Sequence, residues 1–419
     1  MIMTENLNKP ITPLRTDNPR LDDFLLDIAT QIELTDFDRQ IADQRYKLLK
    51  EVLTEPRTAL AQYIAKDEGR IYPHGSMATG TTVICGQEDE RYDVDAIVEL
   101  NLPENVSATL AMQLLYEALE NFPDVQEVEK CTRCIQLRFS RMHMDVTILI
   151  PQHEIGIQGA GNILHVPDKG EPQMIPANPW GFAQWFRNKI AIPEAGFPDY
   201  IARRRAHFNS FRDTNKTRDL SQDDLPAVIA PRLDSESIVA FKLLKRYLAV
   251  CYSNRDVRRP PSIYLSKLVA DLGDFPFGLY AQLITLTQHV EGKLKELILM
   301  SQFPDERNPS YTEDRLNDRW PTNIEDMKLL SKDLEYLRTS LENVKSSQFA
   351  HIVTVFSKLF GERISKYSAQ MYMNRDEKSA ASGSMKYESG SGHIMATGTL
   401  ATAKTKVIKP HDFHFDILE

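Results

Sequence analysis

Residues 92–100 read YDVDAIVEL, an apolar run broken by two aspartates one residue apart. Side chains in a strand alternate faces, so Asp93 and Asp95 leave the same face, roughly 6–7 Å apart along the chain. Two carboxylates on a half-buried strand are costly unless positive charge meets them. A hard divalent cation is the natural neutraliser. Mg²⁺ takes one or two carboxylates, keeps some waters and binds substrate phosphate. A lone Asp-x-Asp also suits an exposed strand end, so its surroundings decide between the two.

Those surroundings favour a site. About twenty residues upstream the chain reads YPHGSMATGTT, a strand, a turn and a short helix or loop. Gly75 has no Cβ and lets the backbone approach a ligand closely. Ser76 adds a hydroxyl, and backbone N–H groups at a turn leading into a helix can cradle phosphate oxygens. Gly80, Thr81 and Thr82 continue a small, hydroxyl-rich surface. A third acid, Asp145, stands alone in the apolar strand MHMDVTILIP. Three carboxylates around two ions form a clamp for in-line phosphoryl or nucleotidyl transfer.

The rest of the chain sets the architecture. Thr35 caps the helix DFDRQIADQRYKLLKEVL, Ser107 starts a second, and CIQLRF pairs with MHMDVTILIP as adjacent strands. From NPWGFAQWFRNKI onward helical stripes dominate, with Asp234 and Asn323 as caps and SQFAHIVTVFSKLFGERI as one further helix. Strands at the front and helices behind predict an α+β lobe packed on a C-terminal all-α lobe. The expected divisions are an arm over 1–18, an α+β lobe with an N-terminal helix over 19–190, a helical lobe over 191–373, and a Ser/Gly-rich tail over 374–419. VIKPHDFHFDILE at the end could dock as a short strand or a peptide. No run approaches a membrane span and the first thirty residues lack a signal-peptide core, which predicts a cytoplasmic protein. The formal net charge of −9 argues against a protein that coats nucleic acid.

Other features carry less. Cys131 and Cys134 could suggest zinc with His143 and His153, but on a strand residues three apart face opposite ways, so two buried thiols fit better. Arginine runs at Arg203–Arg205 and Arg255–Arg259 could meet a base, a phosphate or an activating nucleic acid; a solvated charge run is the commoner reading. Trp180 and Trp185 read as core anchors at the lobe junction. Tyr264, after Pro260 and Pro261, is a weak candidate for stacking on a nucleobase. Lys242 and Lys245 share a helical face, and that spacing alone leaves both as a solvated stripe.

Taken together, Gly75-Ser76, Gly80-Thr81-Thr82, Asp93-Val94-Asp95 and Asp145 resemble the polymerase-β-type nucleotidyltransferases. Within that superfamily the residues resemble the bacterial cGAS/DncV-like nucleotidyltransferases (CD-NTases), relatives of oligoadenylate synthase. IVAFKLLKRYL, RRPPSIYLSKLVADL and WPTNIEDMKLLSKDL extend the resemblance over about residues 35–365. It implies a polymerase-β-like lobe and a Mg²⁺-dependent enzyme using two ions, with Mn²⁺ as a substitute. Asp93, Asp95 and Asp145 would bind the metals and carry catalysis. Gly75, Ser76 and Lys245 would bind the nucleotide. The implied reaction condenses nucleoside triphosphates into a cyclic di- or trinucleotide, an antiphage second messenger acting on a separate effector. A linear or other-acceptor transferase and a silent scaffold remain alternatives. The family's C-terminal conjugation handle is not matched by the ending DFHFDILE, although a tail partner remains open.

Overall fold

The computed structural model describes residues 16–64, 71–84, 91–103, 105–190, 196–212, 231–275, 277–381, 386–388, 394–395 and 405–407. Most of the arm, Cys85 and the segment 408–419 lie outside the described residues. Two helices come first, α1 (Pro19–Ile32) and α2 (Asp36–Thr54). Thr35 caps α2 through a reciprocal capping box with Asp38, as the sequence predicts.

The α+β lobe follows: β1 (Ile71–His74), α3 (Gly75–Thr79), β2 (Tyr92–Glu99), α4 (Ala108–Leu119), β3 (Glu127–Lys130), β4 (Ile135–Arg138), β5 (Met142–Pro151), β6 (Gly161–His165) and β7 (Gln173–Ala177). These strands form one mixed sheet in the order β1-β2-β5-β4-β3, with β6 joining β5 and β7 joining β6. One face is apolar. Val94, Ala96, Val98, Met144, Val146 and Ile148 pack beneath α2 and α4. Strand alternation therefore turns Asp93, Asp95 and Asp145 to the opposite face.

The helical half contains α5 (Pro179–Lys189), α6 (Phe197–Arg212), α7 (Glu236–Tyr252), α8 (Ser262–Leu272), α9 (Leu279–Leu299), α10 (Ile324–Asn343), α11 (Phe349–Phe360) and α12 (Glu362–Ala381). A short hairpin of β8 (Arg307–Asn308) and β9 (Tyr311–Arg315) interrupts it, and β10 (Lys386–Glu388), β11 (Ile394–Met395) and β12 (Thr405–Val407) form a small sheet near the end. Around α7 a second core gathers Phe241, Leu244, Leu286, Leu334 and Phe356. Among the described residues no helix is long and apolar enough to cross a membrane.

Several local expectations change. The α1 helix packs in this second core through Phe24, Leu25 and Ile28, rather than against the sheet. Ser235, not Asp234, caps α7, because Asp234 is engaged by Arg205. Gly361, at φ +101°, divides the expected single helix into α11 and α12. The last helix runs on to Ala381, past the expected start of the tail.

Candidate active site

β2 and β5 run parallel with Asp95 opposite Asp145, and Asp93 opposite His143. Neighbouring strands are about 4.8 Å apart, so the register alone brings two carboxylates side by side on the face that the apolar core leaves open. The Asp95 carboxyl is pushed up to about 7 by burial, with repulsion from Asp93 adding to it; Lys245 and the Ser76 backbone N–H pull the other way. Asp145 is raised to about 6, again chiefly by burial and then by Asp95.

β1 delivers the turn to this acid wall. His74 lies opposite Asp95, and Gly75 follows at φ +56°. A Cβ on Gly75 would collide with Asp95 Oδ2. The glycine is thus required twice, by conformation and by close approach. Gly75→Ala should keep the fold but displace Asp95, adding left-handed strain of about 1–2 kcal/mol. The expected outcome is a slightly lower Tm and at least a roughly tenfold slower condensation of nucleotides; an unchanged rate would show that the close approach is incidental.

Ser76 Oγ lies 2.9 Å from Thr82 Oγ1, and Thr81 N–H donates to Ser76 O at 2.9 Å, which locks the loop after α3. From the helical side, Lys245 Nζ donates to Thr81 O at 2.9 Å. His74, Gly75, Ser76, Asp93, Asp95, Asp145 and Lys245 all line one cavity of about 260 Å³. All six residues predicted from the sequence therefore meet there. Phe182, Ala249 and Ile263 give the cavity an apolar wall, and Ser262, Ser266 and Arg259 a polar one.

Gln136 is a residue the sequence reading missed. It faces Asp145 across the β4–β5 ladder and donates from Nε2 to Asp145 Oδ1 at 2.8 Å, while its Oε1 accepts from Arg138 Nε at 2.9 Å. The signal was present: apolar Ile135 and Leu137 alternate in CIQLRF, which puts Gln136 on the acid-bearing face.

Other expectations resolve differently. Cys131 and Cys134 do not lie within a strand; they bracket the turn between β3 and β4, with Cys131 N–H donating to Cys134 O at 2.9 Å. The turn brings the thiols into contact, and Cys134 also reaches Asp145. Tyr264 is buried and tilted against Trp320, so it offers no stacking face. Trp185 packs with Phe182, and Trp180 meets Tyr72 edge-on, as core anchors should. Three arginines of these runs are paired rather than solvated, while Arg258 stays exposed. Arg204 is buried against Asp23 and Asp27, Arg205 pairs with Glu33 and Asp234, and Arg255 grips Asp333. Lys242 is buried too, its Nζ 2.9 Å from Glu33 Oε2.

The carboxylates suit divalent metal by their chemistry: oxygen donors, mutually repelling, beside a glycine turn with no bulk. Among the described residues no three His, Cys, Asp or Glu side chains close on one point as a complete protein cage does. An open wall of this kind fits Mg²⁺, which fills its shell with waters and substrate phosphate. Acid-bearing parallel strands beside a Gly-Ser turn, facing a helical half, are the arrangement that the resemblance to polymerase-β-type nucleotidyltransferases implies.

No protein-family model matches the chain. It is 26% identical over 373 residues to cyclic dinucleotide synthase CdnG of Bradyrhizobium diazoefficiens, covering 86% of each chain. The structure of that CD-NTase in complex with GTP superposes with a TM-score of 0.71 at 24% identity, over 84% of this chain and 99% of the other. Vibrio cholerae DncV cyclic AMP-GMP synthase with nonhydrolyzable GTP matches at TM-score 0.46 and 16% identity, over 83% of this chain and 88% of that one. The chain is thus similar in sequence and fold to the bacterial cGAS/DncV-like nucleotidyltransferases, the CD-NTases.

Proposed function

We propose that this protein condenses nucleoside triphosphates, with release of pyrophosphate, into a cyclic di- or trinucleotide that serves as an antiphage second messenger. The observation that carries the reading is the in-register pair Asp95 and Asp145, with Asp93 on the same face, opening on the cavity that holds Ser76 and Lys245. Similarity to a cyclic dinucleotide synthase supports the cyclic product.

Asp93, Asp95 and Asp145 would hold two magnesium ions, or manganese in their place. Bound there, the metal would lower the pKa of the acceptor hydroxyl and offset charge on the departing pyrophosphate. The remaining work falls to this chain's own groups. The Gly75–Ser76 turn receives the donor triphosphate, and the Lys245 ammonium adds positive charge beside the Thr81 carbonyl it already holds. Gln136 fixes the Asp145 carboxyl so that it faces the acceptor hydroxyl. Phe182 and Ile263 form the apolar wall against which a base can lie. Cyclisation needs the bound linear product to turn round for a second attack in the same cavity. The product would leave to act on a separate effector protein.

The test is incubation with the four labelled triphosphates and Mg²⁺, followed by phosphatase and mass spectrometry. A phosphatase-resistant oligonucleotide that disappears with chelator, or with Asp145→Asn, is the expected outcome. A phosphatase-sensitive linear product would overturn the cyclic reading, and no product at all would overturn the enzyme.

A further inference from the structure

The two thiols of the β3–β4 turn take no part in the reaction as described. Their geometry follows from the ladder. Glu129 pairs with Gln136 and Lys130 with Ile135, so the next pair toward the turn is Cys131 with Cys134, closed by the Cys131 N–H to Cys134 O bond at 2.9 Å. Directly opposed residues of a hairpin place their side chains on one face. That face bears the acids, since Cys134 stands two residues before Gln136, whose amide donates to Asp145 Oδ1 at 2.8 Å. Opposed residues of an antiparallel pair have Cα atoms about 4.5–5.5 Å apart, inside the range that a disulfide spans. Both cysteines are free.

Further observations give the pair an order of reaction and a consequence. Cys131 is half-buried and Cys134 is buried, so a reagent from solvent meets Cys131 first. The Cys134 thiol reaches the Asp145 carboxyl, beside the bond from Gln136. The tip of the turn is held on both sides: Thr132 O accepts from Val166 N–H at 2.7 Å, and Arg133 Nη2 lies 2.5 Å from Asp318 Oδ2. With its tip anchored, the turn does not swing away as a unit. A new bond between the thiols therefore acts on the start of β4 and on the partners of Asp145.

We propose that Cys131 and Cys134 are an oxidation site, at which a hydroperoxide closes a disulfide that slows nucleotide condensation by taking the Cys134 thiol from Asp145. The Cys131 sulfur attacks one peroxide oxygen as the O–O bond breaks, giving a sulfenic acid and releasing the other oxygen as water or an alcohol. The Cys134 sulfur then attacks the sulfenic sulfur; the hydroxyl leaves with the Cys134 proton as water, and the S–S bond forms. Two thiols lose two electrons and two protons, and the hydroperoxide takes them up. The bridged Cys134 has no S–H left to donate, so Asp145 keeps Gln136 alone. The effect on rate rests on the nucleotidyltransferase reading; the bridge itself does not.

Hydrogen peroxide is the probe, and dithiothreitol reverses it. Peptide mass mapping of the treated full chain should find Cys131 linked to Cys134 within one molecule. The oxidised protein should condense labelled triphosphates about tenfold more slowly than the reduced one, the usual cost of losing a partner behind a metal-binding carboxylate. Its Tm should also rise less with Mg²⁺, and dithiothreitol should restore both. Cys131→Ser cannot close the bridge and leaves the Cys134 thiol on Asp145, so it should match reduced wild type and ignore peroxide. Cys134→Ala should be slow without peroxide, whereas Cys134→Ser keeps a donor and should recover most of the rate. A disulfide between chains or to Cys251, or sulfinic acid at Cys131 with Cys134 still free, would overturn the oxidation site. A bridged protein as active as the reduced one, or an equal loss in peroxide-treated Cys131→Ser, would overturn the link to Asp145. Reduced wild type that condenses nothing would instead overturn the reaction, and the mass map with the Mg²⁺-dependent Tm would then decide this inference.

Discussion

Asp95→Asn is expected to abolish nucleotide condensation and, in the absence of divalent metal, to make the protein more stable at pH 8. Both outcomes follow from one buried carboxyl. Removing a charge that stabilises the reacting phosphates typically costs several kcal/mol of transition-state stabilisation, so a loss of about a thousandfold or more is expected. The stability effect has a definite sign. In the folded chain Asp95 is raised from 3.8 to about 7, by burial first and then by Asp93. Between those values the folded protein keeps a proton that the unfolded chain has released, so stability from this group falls as pH rises and stays lost above about 7. Asparagine has no such proton, and its Oδ1 can still accept from Ser76 N–H. The Tm of the variant minus that of wild type should therefore grow between pH 5 and pH 8 in chelator. Magnesium should reverse the order by stabilising wild type alone. Calorimetry in chelator and in Mg²⁺ at both pH values checks this. A difference that does not change with pH would mean that Asp95 ionises freely.

Much of this site was legible because its signals are local. A glycine-serine turn, two acids of one strand face and a lone acid in a second apolar strand each impose a rule on a few consecutive residues. Strand alternation then turned all three acids away from the core. What could not be read depended on distant partners. Lys242 and Lys245 are indistinguishable by helical spacing, yet one is buried against Glu33 and the other reaches Thr81 O. Arg204 and Arg205 look like a solvated run because their acids, Asp23, Asp27 and Glu33, lie more than 170 positions earlier. Tyr264 follows a proline pair that suggests exposure, but Trp320 covers it. The cysteine pair failed differently. Cys131 to Cys134 form the turn between β3 and β4 rather than continuing a strand, so residues three apart meet instead of facing opposite ways.

Glu33→Ala is expected to destabilise the fold by about 3–5 kcal/mol, the usual cost of removing one partner from a buried ion pair. Glu33 is buried where α1 ends, and its carboxylate receives Lys242 at 2.9 Å and Arg205 at 3.0 Å, with Arg232 at 3.7 Å. Burial alone would raise its pKa, but Lys242, Arg205 and Arg232 outweigh that and hold it well below the usual carboxylate range. Its backbone pairs with Val83, two residues beyond the Thr81 carbonyl that Lys245 holds. The acid thus joins α1, α6 and α7 to the edge of the cavity, and its loss should slow condensation as well as lower stability. A double-mutant cycle separates this from general damage. Lys242→Met alone leaves Glu33 with two arginines and should cost less, while the Glu33→Ala, Lys242→Met pair should cost less than the sum, since the stranded ammonium is gone. Acid titration gives an independent reading. A depressed carboxyl contributes stability that is full above its unfolded value of about 4.5 and drains away below it, so the gap between wild type and Glu33→Ala should narrow as pH falls from 5 to 3. Strict additivity in the cycle, or a gap that holds constant in acid, would mean that these charges are merely neighbours, and that the helices are held to the cavity edge by apolar packing alone.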